Sequence, residues 1–405
     1  MPPRRRPATS PPLVAGGIHK AQQDEDTAGS SDKKHVKKPK KCVTETQQGR
    51  SLTARCVASL KYILLFIIIP PFINYASLQK EYSSLKPTGE LYDVGWGQKL
   101  FMMCEGKGPP TVILDAPTGM TSDVWTLVWP KLSKHAKVCI YDRAGLGFSE
   151  RPYINQSQTA EERKYTRNQW QPYTGERMVD DFNQLFTVSS QQPQPFILVG
   201  AELGALVSMF YTQLYEGNVL GLVLINPLSE RLFEQDQGVW TQYWFGQLIP
   251  TYQSFQLGAA LGLTRLALMV GILKHPLAGM ELPAEVEMRQ KYLLCNPRHL
   301  SSVVDEHHFI NETFSQIKTL RLMKSVPKNI SVTLITGNYY DEQIPSPLNK
   351  AWAKSEQSLI SRDLPHATHI VVNGADHHML YRDPSAVVEP VIKMIKQYKL
   401  RHKHQ

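Results

Sequence analysis

At 405 residues the chain can bury a large core, and length alone allows two or three domains. The net charge is +9, but it is local: residues 1–55 hold 12 Lys/Arg and 5 Asp/Glu, a net of +7, and the remainder holds 33 and 31, a net of +2. The body is therefore nearly neutral and does not interleave basic with aromatic residues, which excludes nucleic acid as its partner.

Residues 1–55 form a basic tail rich in Pro, Lys and small polar residues. Its few apolar side chains cannot offset chain entropy, so disorder is expected. Lys33, Lys34, Lys37, Lys38, Lys40 and Lys41 suit a solvated segment flanking a membrane, or contact with anionic headgroups. Asp24, Glu25 and Asp26 argue against a mitochondrial presequence. Arg4-Arg5-Arg6 resembles an endoplasmic-reticulum retrieval signal.

Residues 56–77 predict a transmembrane helix, with membrane lipid as its partner. The stretch from Val57 to Ala76 reaches about 20 residues, enough to cross the hydrocarbon core. Lys61 can snorkel to the headgroups, and Pro70-Pro71 predict a kink. A re-entrant hairpin turning at the prolines and a buried core helix are the alternatives. Eight Lys/Arg lie between residues 33 and 55 against two between 78 and 98. That asymmetry puts the N-terminus in the cytosol and the body in the secretory pathway, as a single-pass type II protein. The acceptor triplets at Asn155, Asn311 and Asn329 are then glycosylation candidates. Cys56, at the membrane edge, is either inert or a site for acylation. Cys104, Cys139 and Cys295 are an odd number and predict no disulfide framework, and no Cys-x-x-Cys pair suggests zinc.

After a linker at 78–90, residues 91–400 alternate strands with helices. The runs at 99–106, 111–116, 137–142, 195–201, 221–226, 331–337 and 368–374 are short and rich in β-branched residues. Most are continuously apolar, as strands buried on both faces must be. Helical stretches lie at 123–134, 176–186, 203–215 and 386–400. The expected fold is α/β, with a doubly wound, mostly parallel sheet. About a hundred residues after Asn226 carry no strand pattern. They predict a helical cap, at about 229–329, over the sheet edge where such folds bind ligands. Its Leu and aromatic stripes form core, line a pocket for a small lipophilic ligand, or lean on the membrane.

Four segments, "DVWTLVWPKLSKHAKVCIYDRAGLGFSE", "VGAELGAL", "GLVLINPL" and "VVNGADHHMLYRDP", resemble successive blocks of the α/β-hydrolase fold. The closest flavour is the subgroup with a YDRAGxGxS turn, here Tyr141–Ser149, and the likeness runs from about Leu91 to Leu400. In that family a serine stands at the centre of a G-x-S-x-G elbow. Gly200 and Gly204 fill the glycine positions, but Glu202 fills the nucleophile position. The resemblance makes His377 the base and Asp341 the acid, the latter one residue later than the usual spacing. It makes Leu203 and Thr118 the oxyanion-loop candidates, with Pro117 where the family commonly has glycine. A metal site at Asp376-His377-His378 is disfavoured, since adjacent residues rarely aim at one ion, and neither metal nor cofactor is expected.

Two functions follow. The domain lacks serine-hydrolase activity and binds a ligand or a protein, as a pseudoenzyme. Alternatively it is a hydrolase of an ester, an epoxide or a related lipophilic substrate, using Glu202 with His377 and Asp341.

Overall fold

Eight strands are built from the short apolar runs: β1 (Glu90–Asp93), β2 (Lys99–Glu105), β3 (Thr111–Asp115), β4 (Lys137–Tyr141), β5 (Phe196–Ala201), β6 (Val219–Ile225), β7 (Ser331–Thr336) and β8 (Thr368–Val371). They form one sheet in the order β1-β2-β4-β3-β5-β6-β7-β8. β1, β2 and β4 pair antiparallel, and every other pair is parallel. The molecule is known as a computed structural model that describes residues 52–85, 88–95, 97–152, 172–189, 193–337, 344–373 and 379–402.

The central strands are buried on both faces, which explains their unbroken apolar character. Phe196, Leu198, Leu222, Leu224 and Leu334 point into one core layer. Ile197, Val199, Val223, Ile225 and Ile335 point into the other. Each such side chain contributes about 1.5–3 kcal/mol of burial. The helices Gly175–Val188 and Leu203–Leu214 cover the first face, and Pro384–Arg401 contributes Val387, Val388 and Val391 to the second.

The expected helix at 123–134 is instead a 3-10 turn, Ser122–Trp125, and a short helix, Trp129–Leu132. Pro130 lies in the first turn of that helix, where its missing N–H costs nothing; it could not continue a helix from Ser122. β1 was not apparent from its sequence, because "ELYD" is a largely exposed edge strand. The cysteine expectation is also corrected. Cys104 and Cys139 are direct partners in the β2–β4 register and form a disulfide, leaving Cys295 buried and free among the described residues.

Residues 226–330 contain no strand, as the missing pattern implied. The helices Glu230–Glu234, Val239–Tyr243, Ile249–Ala260, Leu263–Met269, Ala284–Leu294, Pro297–His308 and Ile310–Met323 form the cap. Much of its aromatic content is core: Trp240, Trp244, Phe233 and Phe314 are buried.

The N-terminal helix runs continuously from Leu52 to Ser84, through Pro70-Pro71 and seven residues into the segment expected as linker. From Val57 onward the chain forms one compact unit; of the unit before it, only the start of this helix is described. Two parts of the helix differ. Leu60, Leu64, Leu65, Ile67, Ile68 and Ile69 are exposed. Pro70 and Asn74, one turn apart, are buried against the cap. Asn74 Nδ2 donates to the carbonyl oxygens of Ala259 (2.8 Å) and Cys295 (3.0 Å). Asn74 Oδ1 accepts from Arg265 Nε at 2.8 Å, and Arg265 also donates two bonds to Glu81, at 2.6 and 2.7 Å. A Cβ at Gly262 would lie 2.1 Å from the Pro70 carbonyl oxygen, so only glycine permits this approach.

Candidate active site

The site is built on the turn that leaves β5. The strand ends at Ala201, the helix Leu203–Leu214 begins at once, and Glu202 between them has φ 48° and ψ −110°. That is strained backbone for a side chain other than glycine. Two glycines make it feasible. A Cβ at Gly200 would lie 2.3 Å from the Gly204 carbonyl oxygen, and one at Gly204 would lie 2.7 Å from those of Asp115 and Ala116. The Glu202 N–H is fixed by the Ile225 carbonyl at 2.9 Å. The elbow therefore forms, with glutamate at its apex.

The Glu202 carboxylate reaches the loop after β3. The Thr118 N–H donates to Glu202 Oε2 at 3.3 Å. Thr118 was the donor expected for an oxyanion, and here it serves the protein's own carboxylate. Leu203 occupies the first position of the elbow helix, as expected. Asp341, His377 and Asn155 lie outside the described residues. Asn311 and Asn329 are both exposed.

The loop itself is held by Arg143, part of the motif read in the sequence, and by Asp115 and Glu306, which the sequence did not single out. Arg143, in the "YDRAGLGFS" turn, is 4% exposed. Its Nη1 donates to Asp115 Oδ1 (2.6 Å) and the Ala116 carbonyl (2.7 Å), and its Nη2 to the Pro117 carbonyl (2.7 Å). Glu306, from the cap, accepts from Arg143 Nε at 2.8 Å and from the Gly119 N–H at 2.8 Å. The loop thus reads as a clamp: a guanidinium takes its carbonyls, and two carboxylates take its N–H groups. Burial works against the Arg143 charge, but Glu306 and then Asp115 raise its pKa well above the usual range. Burial pushes the Asp115 pKa up, and Arg143 opposes it. Such a buried ion network costs desolvation, so it specifies geometry more than it adds stability.

The same turn anchors itself. The Ser122 and Phe148 N–H groups donate to Asp142, at 2.8 and 3.0 Å. The Ser149 hydroxyl donates to the Asp142 carbonyl and accepts from the Phe101 N–H. These partners explain why the motif needs Asp, Arg and Ser at those spacings.

Aromatic rings of the cap cover the loop. The His307 ring contacts both Trp244 (4.9 Å) and Tyr252 (4.6 Å), ring centre to ring centre. Its Nδ1 is 2.7 Å from the Val303 carbonyl, which can only accept, so Nδ1 carries a proton. A Cβ at Gly119 would meet Val303 Cγ1 at 2.8 Å and His307 Cε1 at 3.0 Å. Burial first, and then the Glu202 charge, push the Tyr252 phenol pKa well up. Tyr252, His307 and Glu306 gave no signal of their own, apart from the unusual "DEHH" run ending at His308.

Comparisons with known proteins bear on the fold. The chain is 23% identical over 171 residues to the uncharacterized protein YbdG of Bacillus subtilis (strain 168), and it spans about half, 47%, of that curated relative and 42% of itself. The Cif epoxide hydrolase from Acinetobacter nosocomialis superposes with a TM-score of 0.57 at 15% identity, over 80% of this chain and 96% of that one. A putative lipase from Acinetobacter baumannii AYE gives 0.52 at 17%, over 80% and 97%. At such identities the superpositions speak for the fold alone. Residues 110–384, from the foot of β3 to the last helix, match the family described as alpha/beta hydrolase fold. With its elbow and parallel sheet in that span, the chain belongs to the α/β-hydrolase fold family.

Proposed function

We propose that the protein binds a small lipophilic ligand through Glu202 and does not perform serine-hydrolase chemistry. The observation that carries this is the bond from the Thr118 N–H to Glu202 Oε2. Acyl transfer needs unoccupied N–H donors where an oxyanion develops. A carboxylate already on such a donor repels that charge, and no hydroxyl stands at the elbow to attack. Glu202 instead suits a ligand head that offers a hydrogen-bond donor, with the Tyr252 and His307 rings beside it. Thermal shift of the full chain in detergent tests this. Long-chain amines, whose cationic head pairs with a carboxylate, should raise Tm in wild type and not in Glu202→Gln. Equal shifts in both would remove Glu202 from the ligand site.

A second reading has its own support. The strained elbow persists around Glu202, and strain of this kind costs about 1–3 kcal/mol. A carboxylate so presented can attack an epoxide or an alkyl halide, forming an ester that activated water then cleaves. One of the superposed structures is named an epoxide hydrolase. A mass increase on Glu202 after incubation with an epoxide would select this reading.

We also propose a type II membrane protein with its body in the secretory pathway. Among the described residues one helix, spanning Ser59 to Ser84, is long and apolar enough to cross a bilayer. The basic flank and the Cys104–Cys139 pairing, typical of oxidising compartments, support that orientation. Loss of mass on glycosidase treatment is the expected result; a glycan-free protein whose N-terminal tail is outside would contradict it.

A further inference from the structure

The cap carries a surface that its own fold leaves uncovered. The helices Ile249–Ala260 and Leu263–Met269 form a hairpin that turns at Gly262. Leu257, Leu261 and Leu263 are exposed, and so are Met269 (72%), Val270 (68%) and Ile272 (83%) just beyond. Residues 249–273 include a single charged side chain, Arg265, and it is turned inward onto Glu81 and Asn74. The outward face is therefore uncharged over 25 residues, and from Leu257 to Ile272 its exposed side chains are all apolar. Soluble surfaces rarely leave such a patch contiguous unless something covers it.

The neighbour of this face identifies the cover. Gly262 abuts Pro70, and Ala259 accepts from Asn74, both on the N-terminal helix. Pro70 lies six residues inside the Ala76 end of the predicted span. At 1.5 Å per residue that is about 9 Å below the membrane boundary. A hairpin pinned to Pro70 is carried to the same depth. The polar groups at the junction are paired: Arg265 bonds both Asn74 and Glu81.

We propose that the cap hairpin lies in the bilayer leaflet beside the N-terminal helix, with Leu257, Leu261, Leu263, Met269, Val270 and Ile272 against lipid acyl chains. This rests on the proposed membrane span. Tyr252 is on the same helix as Leu257, five residues or about 7.5 Å earlier along its axis. The hairpin thereby joins the leaflet to the Glu202 site, and the ligand class it favours is a membrane lipid or a molecule dissolved in one.

Spin labelling tests the placement. The full chain, with Cys42→Ser and Cys56→Ser, carries a nitroxide at Ile272→Cys or Ile68→Cys in phosphatidylcholine vesicles. Both labels should collide several-fold more often with oxygen than with a water-soluble nickel chelate. If position 68 behaves so and position 272 meets the chelate freely, the hairpin is in water and the proposal falls while the span stands. If both meet the chelate, span and proposal fall together. If position 272 is shielded from both reagents, protein covers the face, as in a second copy, and the proposal also falls. Met269→Cys repeats the measurement should the Ile272 variant fail to fold.

Discussion

The "YDRAGLGFS" turn and the elbow lie side by side, yet they treat their charged residues differently. In the turn, Asp142 and Arg143 are buried with partners on every side: N–H groups for the carboxylate, carbonyls and carboxylates for the guanidinium. At the elbow, Glu202 stands on strained backbone and takes the Thr118 N–H at a longer 3.3 Å. One arrangement spends its charges on holding a loop. In the other, on the function proposed above, the carboxylate gives up that bond to a ligand. Charged residues around one loop are thus not equivalent signs of function, and backbone strain and bond length separate the two kinds.

Breaking the clamp should have the largest effect. Arg143→Met leaves Asp115 and Glu306 buried without their cation, and should cost about 3–5 kcal/mol by denaturant melting. A loss below 1 kcal/mol would mean that the network is incidental. Next comes the elbow backbone. Gly200→Ala places a methyl 2.3 Å from the Gly204 carbonyl oxygen, and should cost at least the 1–3 kcal/mol of an overpacked core.

An intermediate effect lies away from both. Burial raises the pKa of Glu356, 3% exposed, from 4.5 to about 8. Its folded pKa exceeds its unfolded one, so the folded state holds the extra proton between those values. Stability is therefore full below about pH 4.5 and falls as pH rises toward 8. Glu356→Gln should abolish that decline, seen as a Tm that no longer falls between about pH 4.5 and 8. The smallest change in stability belongs to Glu202→Gln, within about 1 kcal/mol, because the amide oxygen still accepts from Thr118. That contrast with Arg143→Met, large against small, is the comparison at its sharpest.

Much of the sheet was legible because strands buried on both faces must be unbroken apolar runs, as at Phe196–Ala201. The edge strand Glu90–Asp93 buries little and left no such trace. The elbow could be read from Gly200 and Gly204, since only close backbone approach demands both glycines. The clamp could not. Arg143 stood out as part of a motif, but its partners lie 26–28 residues before it and 163 after it, brought near only by folding. The Cys104–Cys139 pair was hidden for the same reason, because its meeting depends on strand register. The cap was legible as an absence of strands, and its Tyr252 and His307 looked like any aromatic stripe.

Glu202 as a binding group, rather than a nucleophile, is tested most directly by turnover together with intact mass. The full chain in detergent would be incubated with acyl esters, epoxides and haloalkanes, alongside Glu202→Gln. The expected result is no turnover above the variant and no covalent adduct on Glu202. Turnover that disappears in Glu202→Gln, with an adduct mapped to Glu202 in wild type, would make the elbow glutamate a catalytic nucleophile.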